Sequence, residues 1–143
     1  MQREVLRLTD IEQKKEYLKG YEKAVRKAER IEIKIKELRL NKIFPSALND
    51  GMPHARNQSD LSGYAALLDE EERHYQECKY QQIEICKEIT DRIEQIDNED
   101  EKDVLIFRYI ELKKWQDIAI KMKVSQRQVH RIHSQALKNF KMA

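Results

Sequence analysis

An all-α fold is what this sequence predicts, on three observations. Only three Gly and two Pro occur in 143 residues, whereas 38% of the residues are charged and 40% hydrophobic. A sheet protein needs turn residues far more often than that. Apolar residues recur at spacings of three, four or seven over two long stretches, the period of a helix face. Three shorter amphipathic patterns then follow one another near the carboxy-terminus, separated by only a few residues. The architecture expected is a long antiparallel helical hairpin over residues 1–97, followed by a helix-turn-helix over residues 98–143.

The first long helix is expected over residues 9–40, opened by Thr9-Asp10. Its apolar stripe is Ile11, Leu18, Tyr21, Val25, Ala28, Ile31, Ile35 and Leu38. Gly20 is a weak point, costing up to about 1 kcal/mol in a helix interior. The segment is so polar outside the stripe that it needs a partner helix to be stable. From Asn41 to Ser59 the chain breaks, because Pro45, Gly51 and Pro53 forbid a continuous helix. A mobile loop is expected over residues 41–59, with Ile43-Phe44 packing back on a helix end. Ser59-Asp60 would cap the second long helix, residues 60–97. Leu61, Tyr64, Leu68, Tyr75, Cys78, Ile85, Ile89, Ile93 and Ile96 form its stripe, interrupted by Glu71 and Gln82.

Charge supports the pairing. Residues 1–40 carry 12 Lys/Arg and 8 Asp/Glu, whereas residues 60–97 carry 4 and 11. A basic and an acidic helix select each other as partners, although each exposed ion pair contributes little. Asp97-Asn98 then breaks the second helix, and either residue can cap the next one. Glu99, Asp100 and Glu101 suit the positive end of that helix.

In the carboxy-terminal segment Val104, Leu105, Tyr109 and Ile110 mark one helix. Trp115, Ile118, Ala119 and Met122 mark a second, and Val129, Ile132, Ala136, Leu137 and Phe140 a third. The breaks fall at Glu111–Lys114 and Lys123–Ser125. Ser125 is a suitable N-cap for the last helix, its hydroxyl accepting from a first-turn amide. Two helices joined by so short a turn, the second rich in long polar side chains, read as a helix-turn-helix. Residues 113–143 hold 8 basic residues and 1 acidic one, so the positive charge lies on this segment.

With Val129, Ile132, Ala136 and Leu137 facing inward, Gln126, Arg127, His130, Arg131 and Ser134 are left on the opposite face. Direct readout of DNA uses such side chains: Arg donates two bonds to guanine and Gln pairs with adenine. Lys113, Lys114, Lys121, Lys123, Ser125 and Lys138 are the expected phosphate contacts, which set affinity without reading sequence.

Several of these residues carry a resemblance. Arg108-Tyr109 ends one helix, Gln116-Asp117-Ile118-Ala119 lies on the next, and Val124-Ser125, Val129, Ile132 and Ala136-Leu137 follow. This pattern resembles the fourth conserved region of bacterial sigma factors, which binds DNA. Trp115 departs from it, standing where many sigma factors carry a small or hydroxyl residue. The whole chain resembles small phage proteins of the ArpU type, regulators of late genes, and related uncharacterised phage proteins with sigma-like ends. The resemblance implies a base-reading role for Gln126, Arg127, His130 and Arg131. It also implies double-stranded DNA as partner and host RNA polymerase as a second contact. The hairpin is expected to be a polymerase-contact or homodimerisation module, since its apolar stripes can be buried by a second copy or by its own two helices folding on each other. No segment resembles the promoter-melting region, so host sigma would still be needed. Two alternatives stand beside this reading. One is a DNA-packaging protein resembling a terminase small subunit; the other is a helical interaction module that never meets DNA.

Other function classes find little support. No run of 18 apolar residues exists and the amino-terminus lacks a signal-peptide core, so a cytoplasmic protein without membrane contact is expected. Cys78 and Cys86 lie eight apart on one helix, about 12 Å of rise, too far to pair with each other. His130 and His133 are three apart, yet no further ligand is near in sequence, so no metal site is expected. His54 and His74 lack the nucleophile and carboxylate of a triad, and no phosphate-binding Gly-rich loop occurs. No cofactor and no enzymatic activity are expected. Trp115 and Tyr109 are read as core residues.

Overall fold

The computed structural model describes residues 2–43 and 58–142. All regular structure among them is helical. Helix α1 is Gln2–Leu18, α2 is Gly20–Ile43 and α3 is Gln58–Ile93. Helix α4 is Glu99–Leu105 and runs on into a π-helical turn, Ile106–Ile110. Helices α5 (Trp115–Met122) and α6 (Gln126–Asn139) complete the chain. None of the described helices is long and apolar enough to cross a membrane.

The long helices differ from expectation at their ends. The first begins at Gln2 rather than Thr9 and is interrupted at Lys19, so one expected helix becomes α1 and α2. Gly20, the weakest helix former in the stretch, follows that interruption. The backbone nevertheless stays bonded across it, Lys19 N to Lys15 O at 2.9 Å and Lys23 N to Lys19 O at 3.1 Å. Ser59 and Asp60 lie inside the first turn of α3 rather than capping it. Helix α3 ends at Ile93, not Asp97, because its last turn tightens: Gln95 N bonds Arg92 O and Ile96 N bonds Ile93 O. Of the loop expected over residues 41–59, residues 44–57, including Phe44, lie outside the described residues.

The residues fall into two compact units, 25–81 and 1–24 with 82–143. In the first, α2 and α3 run antiparallel around Ala28, Ile31, Ile35 and Cys78, with Leu68 and Tyr75 against them. Lys34 donates to buried Glu71 at 2.6 Å, Arg39 pairs with Glu72, and the Tyr64 hydroxyl donates to the Leu38 carbonyl at 2.9 Å. The polar interruption at Glu71 is thus met by the opposite charge across the helix pair.

The second unit gathers α1, the first turn of α2, the end of α3 and everything beyond. One core joins Leu18, Ile89, Ile93 and Ile96 to Leu105, Tyr109, Leu137 and Phe140. The grouping therefore does not follow a boundary at 97/98: side chains from before that point complete the interior beneath the carboxy-terminal helices. Gln82, the other polar interruption, donates to the Tyr21 hydroxyl at 3.5 Å. Cys78 is buried, Cys86 half-buried, and both thiols are free.

Candidate nucleic-acid interface

Each helix of the carboxy-terminal region is set by a local device. Asn98 caps α4, its Oδ1 accepting from the Glu101 amide at 3.1 Å; of the two candidates it, not Asp97, does so. Glu99, Asp100 and Glu101 occupy the acid-favouring first turn. After the π-helical turn, Leu112 adopts a left-handed conformation (φ 56°) and the Lys113 amide bonds back to Phe107 O at 2.9 Å. Lys123 does the same after α5 (φ 59°), with Val124 N on Ala119 O at 3.1 Å. Both are helix stops in which a left-handed residue lets the next amides satisfy free carbonyls. Three residues then separate α5 from α6, and Ser125 Oγ accepts from the Gln128 amide at 3.1 Å.

A second core cluster fixes the two helices against each other: Val104, Ile118, Ala119 and Val129, with Phe107, Trp115, Met122 and Ile132 packed on it. The far end of α6 is tied down twice. Lys14 of α1 donates to the Leu137 carbonyl at 3.0 Å, placing a cation on the negative end of the helix. Asn139 donates to buried Glu101 at 2.8 Å.

With its inner side so held, α6 presents its polar side outward. Arg127, His130, Arg131, Ser134, Gln135 and Lys138 line one open depression along the helix. Four of the five expected base-reading residues and one expected phosphate contact therefore lie together. Gln126 stands exposed at the helix start and is not part of that lining. No acidic residue occurs in α6, so nothing on the helix itself offsets this positive face.

The remaining expected phosphate contacts are dispersed. Lys114 is exposed at the N-cap position of α5 and Lys123 at its C-cap. Lys113 and Lys121 both reach Glu111, at 3.4 and 3.9 Å, and both lie over the Phe107 ring, at 5.1 and 4.4 Å. Ser125 spends its hydroxyl acceptor on the helix cap.

Beneath the polar face two residues considered separately in the sequence, His133 for its spacing from His130 and Tyr109 as core, meet in the interior. His133 is buried, and its Nε2 shares a 2.8 Å hydrogen bond with the Tyr109 hydroxyl. Burial, with the Lys15, His130 and Arg108 charges adding to it, pushes the His133 pKa down to about 4, so the ring is neutral near pH 7. Burial pushes the Tyr109 phenol up to about 12, although Arg108 opposes the shift. Trp115, expected in the core, is half-buried, packed against the Val104, Ile118, Ala119 and Val129 cluster. It also touches the outer face, its ring centroid 4.6 Å from that of His130. The signal for His133 was periodicity: it lies four residues after Val129 and three before Ala136, on the apolar side of α6. Glu101 could have been found likewise, three residues before Val104.

Two packed helices, a three-residue turn and a second helix with a cationic outer face define a helix-turn-helix. Residues 98–141 match the family profile described as Sigma-70, region 4, which gives the carboxy-terminal unit the class of a DNA-binding helix-turn-helix of sigma-like type. No curated protein and no solved structure matches the chain significantly.

Proposed function

We propose that the protein is a phage or prophage transcription regulator that binds promoter DNA through α6 and controls late genes. The observation that carries DNA contact is the common face of Arg127, His130, Arg131, Ser134 and Lys138 on the second helix of a sigma-like helix-turn-helix. Arginines there can donate paired bonds to guanine, while Lys138, Lys114 and Lys123 meet phosphate. Residues 98–143 act as the DNA-binding unit in this reading, supported from below by the helices before them. The late-gene role rests on the resemblance of the whole chain to ArpU-type phage regulators. Host RNA polymerase, still carrying its own sigma factor, is the partner, and the setting is the cytoplasm. Homodimerisation through the long helices belongs to the same reading: Ile33 and Leu40, seven apart on α2, are 56% and 54% exposed and would gain cover from a second copy.

Binding to DNA fragments from the gene's own neighbourhood, at low and high salt, tests this. The expected result is tight binding to one promoter-proximal fragment, weakened by salt and by Arg131→Ala. Equal weak binding to all fragments would favour a packaging role. An absence of binding at either salt would leave only an interaction module.

A further inference from the structure

The polar face of α6 and the interior beneath it meet at Trp115. Its ring stands edge-on to buried His133, centroids 4.8 Å apart at 74°, and lies at 46° to the ring of exposed His130 at 4.6 Å. Arg108 covers the indole as well, its guanidinium carbon 4.4 Å from the ring centroid. That guanidinium is itself held, donating to the Lys113 carbonyl at 3.1 Å. His133 is fixed in turn by the Tyr109 hydroxyl. The indole is thus seated between groups that cannot turn freely, and it supports one residue of the outward face.

We propose that Trp115 is a positioning residue that holds the His130 imidazole in place on the outward face of α6, and so sets sequence discrimination without touching DNA. The proposal rests on the reading of α6 as the DNA-contacting helix. An exposed imidazole with no support samples several rotamers, and a base edge would have to freeze one of them. A ring already packed on an indole has made that choice before DNA arrives, so the ordering cost is removed from binding. Indole suits the task because it is broad enough to touch both histidines and is the best aromatic face for a cation such as Arg108. Leucine could fill the apolar space but offers no ring surface; phenylalanine offers a smaller one.

Two readouts on the full chain test this. The first needs no DNA: the Hα–Hβ couplings of His130, followed by NMR, report its χ1 rotamer. They should show one rotamer in the wild type, averaging in Trp115→Leu and partial averaging in Trp115→Phe. The second is selection from a pool of random duplex DNA. The wild-type protein should enrich a motif in which His130→Ala weakens the preference at one position. Trp115→Leu should weaken that same position by about 2–12-fold, the size of one side-chain ordering cost. It should leave salt-dependent affinity for the unselected pool unchanged. Trp115→Phe should retain most of the preference, which keeps the test intact should the leucine variant fold poorly. In His130→Ala, adding Trp115→Leu should cost nothing further at that position. His130 couplings unchanged in Trp115→Leu, or full preference kept by that variant, overturn the proposal. If the wild-type protein enriches no motif, the reading of α6 as sequence-specific fails, and the couplings alone decide whether Trp115 positions His130.

Discussion

Acid should loosen the seat of α6 through a single buried ring. His133 is 6% exposed, and its pKa in the folded protein is pushed down to about 4 from an ordinary value of 6.5. Below about pH 6.5 the unfolded chain takes up a proton that the folded one refuses until about pH 4. The stability contributed by the neutral ring is therefore complete above that window and is lost as the pH falls through it. The shift corresponds to about 3 kcal/mol in full, of which about 2 kcal/mol is already lost near pH 5. Trp115 is the one tryptophan of the chain and stands beside His133, so its fluorescence follows this unit directly. Urea unfolding of wild type and His133→Gln, at about pH 7.5 and about pH 5, measures the effect. Glutamine does not titrate and can still meet the Tyr109 hydroxyl. Carboxylate titration is common to both proteins and cancels in the difference. Wild type should lose about 2 kcal/mol more than the variant on acidification. An equal loss in both would refute the assignment of His133 as a buried neutral base.

Three further expectations concern packing and backbone. Ile93→Ala removes a fully buried side chain from the core beneath α4 and α6 and should cost about 2–5 kcal/mol. Because that core is shared, the Trp115 fluorescence transition should shift with it; an unmoved transition would contradict the sharing. Lys123→Gly relieves a left-handed non-glycine residue and should raise stability by about 0.5–1 kcal/mol in the same urea assay, while removing one proposed phosphate contact. At Gly20 an added Cβ would meet Ile85 and Ile89 at 3.9 and 4.0 Å, ordinary contact distances. Gly20→Ala should accordingly raise the thermal midpoint, through a gain of about 0.5–1 kcal/mol; a lowered midpoint would mean that the interruption at Lys19 is required.

Much of this arrangement could be read from residue spacing, and what escaped did so for definite reasons. The stripes Ala28–Ile31–Ile35 and Ile89–Ile93–Ile96 are visible because each position is apolar and the period is regular. Ser125 was legible as a cap because capping is a local interaction decided within three residues. Residues 98–143 were read as a unit of their own because Asp97-Asn98 breaks the helix there. The helix does end nearby, yet Leu18, Ile89 and Ile93 complete the same interior, a long-range contact that no local break reports. The π-helical turn at Ile106–Ile110 left no residue signature. His133 invites weighing as a metal ligand beside His130, because its polar type hides an apolar position. At the candidate interface, exposure followed from the helix period, so Arg127, His130, Arg131 and Ser134 were found together. Spacing marks Lys113 and Lys121 only as phosphate contacts, since their engagement with Glu111 and Phe107 depends on how the chain turns between α4 and α5.

Contact between DNA and the outward face of α6 is best examined by mapping amide and side-chain NMR shifts as duplex DNA is titrated into the full chain. The duplex should be a promoter-proximal fragment that the protein retains at low salt. The largest changes should fall on Arg127, His130, Arg131, Ser134 and Lys138, with smaller ones at Lys114 and Lys123, and all of them should shrink as salt is raised. Changes confined to the long helices, or none at all at low salt, would contradict it.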